Sequence, residues 1–223
     1  MVLTGSTGED GSVSGSGSTC GDGSTDGQRR ILGITGAPGA GKSSLAAAYV
    51  THAGPDAVHL PMDGFHLADI TLTALGLLDR KGAPETFDAW GYAALLDRLR
   101  RRPPETVYAP GFERDLEQPI AAAVAVPASV AVVVTEGNYL LGDPPEWRAV
   151  RALLDEVWFV QLDDEVRRER LVARHVAFGK SPGEARAWVT HVDEANARLV
   201  EKTRSCADRV VDLTGWDGTS VVW

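Results

Sequence analysis

The sequence predicts a three-layer α/β fold, a parallel sheet between two layers of helices, with a helical lid. Three observations predict it. Short apolar runs alternate along the chain with helical stretches, the pattern of strand–helix–strand units with right-handed crossovers. One apolar run ends in a Gly-rich turn that opens a helix. An Arg-rich helix is followed at once by a second helix start, which makes a hairpin able to close over a site.

The elements follow in order. Arg30-Ile-Leu-Gly-Ile-Thr35 is a short apolar run, read as a strand. Ser43–His52 is Ala-rich and suits a helix. Ala57–Met62 is a second strand, ending at Asp63-Gly64. Asp88 is an N-cap for a helix to about Arg101, in which Tyr92, Leu95, Leu96 and Leu99 share one face. Arg98, Arg100, Arg101 and Arg102 end that helix as solvated cations complementing its dipole. Val107–Phe112 is extended. Val130–Thr135 is apolar on both faces, as a buried parallel strand requires. Glu156–Leu162 is another strand and Asp163–Phe178 another helix. Ser181-Pro-Gly-Glu184 is a capping box with Pro at the first helical position, so a further helix runs from there to about Arg204. Arg209–Leu213 is the last strand. In such a sheet, ligands bind at the carboxyl ends of the strands.

The chain has 223 residues, with 22 Lys+Arg against 31 Asp+Glu, a net charge of −9. That acidity argues against a nucleic-acid partner. Residues 1–27 hold 8 Gly, 6 Ser and 4 Thr with 4 acids and no base, a composition unable to offset its ordering entropy. We read 1–27 as a disordered tail and 28–223 as one folding unit, with 22 bases against 27 acids. The tail lacks the basic start and apolar run of a signal peptide. The most apolar stretch, Ile120–Val134, is interrupted by Pro127 and Ser129 and is too short to span a membrane. Two cysteines, Cys20 and Cys206, make no disulfide scaffold, so a cytoplasmic location is expected. The pattern leaves a homodimer open.

Gly36-Ala37-Pro38-Gly39-Ala40-Gly41-Lys42-Ser43 matches G-x-x-x-x-G-K-[ST] at every fixed position, between a strand and a helix. This is a P-loop. Its glycines let backbone N–H groups turn around phosphate oxygens, and the helix directs its N-terminus at the anion. Lys42 places a charge at the outer phosphates, Ser43 offers a hydroxyl to Mg²⁺, and Ser44 continues the nucleotide-binding stretch. ATP and Mg²⁺ are the expected ligands. No guanine-reading N-K-x-D and no Leu-Ser-Gly-Gly signature occurs.

A small-molecule kinase also needs a carboxylate for the acceptor hydroxyl and cations over the transferred group. Asp63 ends the strand after the P-loop helix and is the candidate base. Glu136 ends the strand Val130–Thr135, where it holds Mg²⁺ or binds a substrate hydroxyl. Arg167, Arg170 and Arg174 share a face of the lid helix, and Arg170 and Arg174 are the preferred pair for catalysis.

These residues resemble the phosphoribulokinase/uridine kinase family of P-loop kinases, which includes bacterial pantothenate kinase. The resemblance rests on Gly36–Ser43, Met62-Asp-Gly-Phe-His66, Arg80-Lys-Gly-Ala-Pro-Glu-Thr-Phe-Asp88, Thr135-Glu-Gly-Asn-Tyr139 and the Arg-rich lid helix. It spans roughly residues 30–205 and is nearest to short bacterial members called nucleoside/nucleotide kinase-like or fructose-transport-system kinase. It implies transfer of the ATP γ-phosphoryl group to a hydroxyl of a small molecule, with Asp63 as base and Arg170 and Arg174 acting from the lid. It implies that Arg80, Lys81, Asp88, Tyr108 and Arg114 bind the acceptor, and that His66 donates to an acceptor hydroxyl. Uridine kinases usually carry Arg-Asp where this chain has Arg174-His175, and the chain is shorter than a typical pantothenate kinase. The acceptor therefore stays open among nucleoside, pantothenate-like compound and sugar. The rival reading is a nucleotide-binding switch with slow ATP hydrolysis, which predicts no acceptor pocket beside Asp63.

Overall fold

The computed structural model describes residues 28–216 and residue 218. The tail expected at 1–27, with Cys20, lies outside the described residues.

Five strands form one parallel sheet: β1 (Arg30–Gly36), β2 (Ala57–Pro61), β5 (Val132–Glu136), β6 (Glu156–Gln161) and β7 (Arg209–Asp212). Their order is β2-β5-β1-β6-β7, which leaves β1 in the middle. The register matters for the site. Glu136 stands level with Ile34 of β1 and Pro61 of β2. The P-loop, Asp63 and Glu136 therefore leave the same carboxyl edge side by side.

Alternation along the strands splits the core in two. Ile31, Val133, Val157 and Phe159 face one way, while Leu32, Ile34, Val134 and Val160 face the other. The second face is covered by α1 (Lys42–Ala53) through Leu45 and Ala46. The first is covered by α3 (Ala89–Arg100), α4 (Pro145–Arg151) and α7 (Glu194–Glu201), through Leu96, Leu99, Trp147, Val150 and Val200. This is the three-layer arrangement expected. Asp88 caps α3 by accepting from the Gly91 amide at 2.8 Å. Asp163 caps α5 (Asp164–Ala177), and the Ser181–Glu184 capping box opens α6 (Pro182–Trp188).

Four features differ from the sequence expectation. The extended stretch at Val107 is one arm of an antiparallel hairpin, β3 (Val107–Glu113) with β4 (Gln118–Val126), bulged between Ala109 and Gly111. Two short helices are additional, α2 (Asp69–Leu75) after the Asp63 turn and α4 before β6. The helix expected from Ser181 to Arg204 is broken, with a π-helical segment at Val189–Asp193 between α6 and α7. The arginines ending α3 are more than solvated cations. Arg100 donates to Leu153 O at 2.9 Å and pairs with Asp155, and Arg102 donates to Ala128 O at 3.0 Å.

Arg29 makes a further tie that the pattern did not suggest. It is 1% exposed, and its guanidinium donates to the carbonyls of Val130, Leu99 and Pro127 at 2.9, 3.0 and 2.9 Å. A buried guanidinium has to satisfy its donors. Here they lock the start of β1 to the end of α3 and the entry to β5.

Candidate active site

The P-loop runs from Gly36 to Ser43 and crowds against the lid. A Cβ on Gly39, whose φ is +79°, would lie 2.7 Å from Leu171 Cγ on α5. Only glycine allows that approach. Gly64 plays the same part on the other side, because a Cβ there would lie 2.5 Å from the Pro110 carbonyl of β3. It lets the Asp63 turn pass under the hairpin. The hairpin in turn brings Phe112, Arg114 and Glu117 over the site.

A cavity of about 290 Å³ opens between the P-loop, the hairpin and the lid. Lys42, Ser43, Asp63, His66, Lys81, Arg114, Glu136 and Arg174 all line it, with Pro38 and Gly39. A second cavity, of about 450 Å³, adjoins it at Lys42, Ser43 and Arg174 and is lined also by Gly41, Ser44, Arg170 and Trp216. Ala37 closes the loop by accepting from Ala40 N at 3.1 Å, and Ala40 is buried beneath it.

Burial pushes the Lys42 ammonium down to about 8, against the pull of Glu136 and Asp63. Its Nζ donates to Ala37 O at 3.1 Å, parked on the loop it serves. Glu136 is 4% exposed and accepts from Ser43 Oγ at 2.9 Å on Oε1. Burial alone would raise its carboxyl. His59, Lys42 and Ser43 together outweigh that and hold it below the usual carboxylate range. His59 Nε2 stands 3.5 Å from Glu136 Oε1, an ionic contact when the ring is protonated rather than a full hydrogen bond.

Ser43 and Glu136 are hard oxygen donors at the phosphate end of the cavity, the set a Mg²⁺ ion uses when nucleotide and water complete its shell. Among the described residues no group of three or more His, Cys, Asp or Glu could hold a metal alone. The residues fit a metal that arrives with its nucleotide.

His66 carries a correction. Its Nδ1 lies 2.9 Å from the Asp63 carbonyl oxygen. A carbonyl can only accept, so Nδ1 bears the proton. Burial between Phe87 and Phe112 lowers its basicity and favours the neutral ring. Nε2 is then an acceptor, where donation to a hydroxyl was expected.

The other expected acceptor residues divide. Lys81 lines the cavity, but its Nζ is held by Asp69 Oδ1 at 2.6 Å and by the Glu117 carbonyl. Arg114 lies 3.9 Å from Asp63. Arg80, Asp88 and Tyr108 are not brought there. Arg80 points to solvent and pairs with Glu85 at 2.5 Å. Asp88 is occupied as the cap of α3. Tyr108 is 61% exposed on the outer face of β3, because alternation turns its neighbours Val107 and Ala109 inward instead.

The lid arginines divide as well. Arg167 is 3% exposed and bound to Asp164, Glu194 and Pro38 O, so it is a structural tie. Arg170 and Arg174 face the P-loop cavities. Sequence reasoning missed His59, Asn138, Trp188, Asp193 and Asn196. None sits in a phosphate motif, and the hairpin and the π-helical segment that place the site's far wall carry no signature.

A phosphate-cradling loop, a buried lysine, a carboxylate at the next strand end and cations on a lid define a P-loop kinase. No protein-family model matches the chain. It is 38% identical over 152 residues, 64% of its length, to the ATP-dependent kinase-like protein notR' of Aspergillus versicolor, of which 88% is covered. It is 31% identical over 198 residues, 82% of its length, to a Schizosaccharomyces pombe protein named for uridine kinase, of which 83% is covered. Among solved structures, a Silicibacter sp. TM1040 protein named for a fructose transport system kinase superposes with a TM-score of 0.76 at 39% identity, over 84% of this chain and 92% of that one. The chain belongs to the phosphoribulokinase/uridine kinase family of P-loop kinases.

Proposed function

We propose that this protein transfers the γ-phosphoryl group of ATP to a hydroxyl of a small metabolite. The observation that carries the reading is the cavity beside Asp63. It continues past the phosphate end to the hairpin and lid, and its lining there includes Phe112, Trp188 and Asn196. A switch that only hydrolyses ATP has no use for such a space, and the rival reading predicts none.

Loop amides and Lys42 bind the β- and γ-phosphates. Ser43 and Glu136 would hold Mg²⁺, which would supply charge neutralisation to the phosphates. Asp63 orients the acceptor hydroxyl and takes its proton as the new O–P bond forms. The bond between the γ-phosphorus and the bridging oxygen breaks, and its electron pair leaves on ADP. Lys42, Arg170 and Arg174 stabilise the charge that develops on the transferring group and on that leaving oxygen. The chain from 28 to 223 acts as one kinase unit, and a cytoplasmic setting suits its exposed free thiol, Cys206.

The test is incubation with Mg-ATP and a panel of nucleosides, sugars, polyols and hydroxy acids, with products read by mass. One acceptor gaining a phosphate in step with ADP release supports the reading. ADP and inorganic phosphate as the only products, whatever the acceptor, would favour the switch.

A further inference from the structure

The lid end of the cavity holds a pair of side chains for which phosphoryl transfer has no role. His175 follows Arg174 on α5, and its Nε2 stands 2.8 Å from Asp193 Oδ2. A carboxylate only accepts, so Nε2 bears the proton. Asp193 ends the π-helical segment, an insertion found mostly at functional sites, and is 7% exposed. Its other oxygen, Oδ1, has no partner among the described residues. Asn196 is as deeply buried. Its Nδ2 donates to Gly82 O at 3.3 Å, which leaves its Oδ1 unpartnered in the same sense. Both residues line the cavity that holds Asp63.

The acceptor end of the cavity is thus rich in groups that accept: Asp193 Oδ1, Asn196 Oδ1 and His66 Nε2. Lys81 is taken there by Asp69 and Glu117, while Arg114 and Lys180 reach the same cavity. Its charge is balanced: Asp69, Glu117 and Asp193 stand there against Lys81, Arg114 and Lys180, with Lys180 placed over the Trp188 ring at 4.8 Å. The complement of the three acceptors is a ligand with several O–H donors. Trp188 and Phe112 offer flat apolar surface to the C–H side of such a ligand.

We infer that Asp193, oriented by His175, reads a hydroxyl remote from the one phosphorylated, and so selects a polyhydroxylated acceptor of the monosaccharide or alditol class. The inference rests on the kinase reading above. Asp193 would touch the substrate; His175 is a positioning residue.

The experiment measures turnover with Mg-ATP and monosaccharides, alditols, nucleosides and hydroxy acids. The best acceptor is expected among the first two. Removing one remote hydroxyl from it, as a deoxy analogue, should raise KM about tenfold to a hundredfold, the effect of losing a hydrogen bond to a charged group, with kcat little changed. Asp193→Asn should raise KM for the parent acceptor to a similar degree and add nothing for that deoxy analogue. His175→Ala should raise KM as well, and His175→Gln, which keeps a donor, should recover much of the loss. A nucleoside or hydroxy acid as best acceptor overturns the inference, as does a deoxy penalty undiminished in Asp193→Asn. Asp193→Asn also loosens the tie to α5, so the unaltered protein decides alone if the variant fails to fold: no penalty from any remote hydroxyl overturns the inference. No phosphorylated product from any class overturns the kinase reading and this inference together.

Discussion

Raising the pH from 7 to 9 should weaken ATP binding about tenfold through Lys42 alone. Burial pushes this ammonium down to about 8 in the ligand-free protein, from an ordinary 10.5. About nine-tenths of the lysine is therefore charged at pH 7 and about one-tenth at pH 9. A bound triphosphate replaces the lost hydration with negative charge and returns the group toward its ordinary value. Restoring the full difference corresponds to about 3 kcal/mol of coupling between proton and nucleotide, at about 1.36 kcal/mol per pKa unit. Binding should then take up about 0.9 proton at pH 9 and about 0.1 at pH 7. Titration calorimetry in two buffers of different ionisation enthalpy reads this directly. Lys42→Arg keeps its charge throughout this range and should lose the uptake. Equal uptake at the two pH values, or the same uptake in Lys42→Arg, would refute the argument. The sign for stability follows from the same shift. The folded value lies below the unfolded one, so the unfolded chain holds more protons between about pH 8 and 10.5, and the Lys42 contribution to ligand-free stability rises across that window.

Further outcomes are expected. Asp63→Asn should lower kcat by about a hundredfold or more while the ATP dissociation constant stays within about twofold, because the base acts only on the acceptor; single-turnover kinetics with a calorimetric Kd check it. Arg170→Ala and Arg174→Ala should each lower kcat by about tenfold to a thousandfold with little change in melting temperature. Arg167→Ala should do the reverse, destabilising by about 1–3 kcal/mol by removing a buried guanidinium's ties to Pro38 O, Asp164 and Glu194, with Arg168 still beside Glu194; thermal melts of the three variants beside their turnover separate the roles. Gly64→Ala should cost about 1–3 kcal/mol, because the added Cβ meets the Pro110 carbonyl at 2.5 Å and the hairpin has to lift; urea unfolding measures it. Glu136→Gln should raise the Mg²⁺ concentration needed for half-maximal turnover severalfold, read from a magnesium titration at fixed ATP.

Much of the frame was legible because its determinants are local. The strands at Arg30, Ala57, Glu156 and Arg209 and the helices after Lys42, Asp88 and Asp163 were found within a few residues. Each declares itself by periodicity or by a cap that bonds to its own next turn. The hairpin arm Gln118–Val126 was not found. Its centre is alanine, a weak strand former, and Ala122 adopts φ +56°, which breaks the alternation. The break at Val189–Asp193 was missed because no residue there is a helix breaker. One extra residue per turn is a concession to packing, and composition does not record it.

The candidate site divides along the same line. Phosphate binding is a property of one continuous loop and the helix it opens, so Gly36–Ser43 announces it without reference to any other part of the chain. Asp63 and Glu136 could be picked out because parallel strands deliver their carboxyl ends to one edge. The acceptor wall is made of residues far apart in sequence. Which of them meet is settled by the hairpin folding over Gly64, by the lid lying against Gly39 and by the turn that buries Asp193 against His175. That is why Arg80, Asp88 and Tyr108 were expected in the pocket and are not there, while Asp193 and Asn196 line it unannounced. The sequence by itself determined the α/β frame, the phosphate cradle and the class of chemistry, since each depends on short-range geometry and strand periodicity. Only the tertiary structure decided which side chains share the acceptor cavity and which arginine is a tie rather than a catalyst, because both depend on burial and on partners across chain separations that no local pattern encodes.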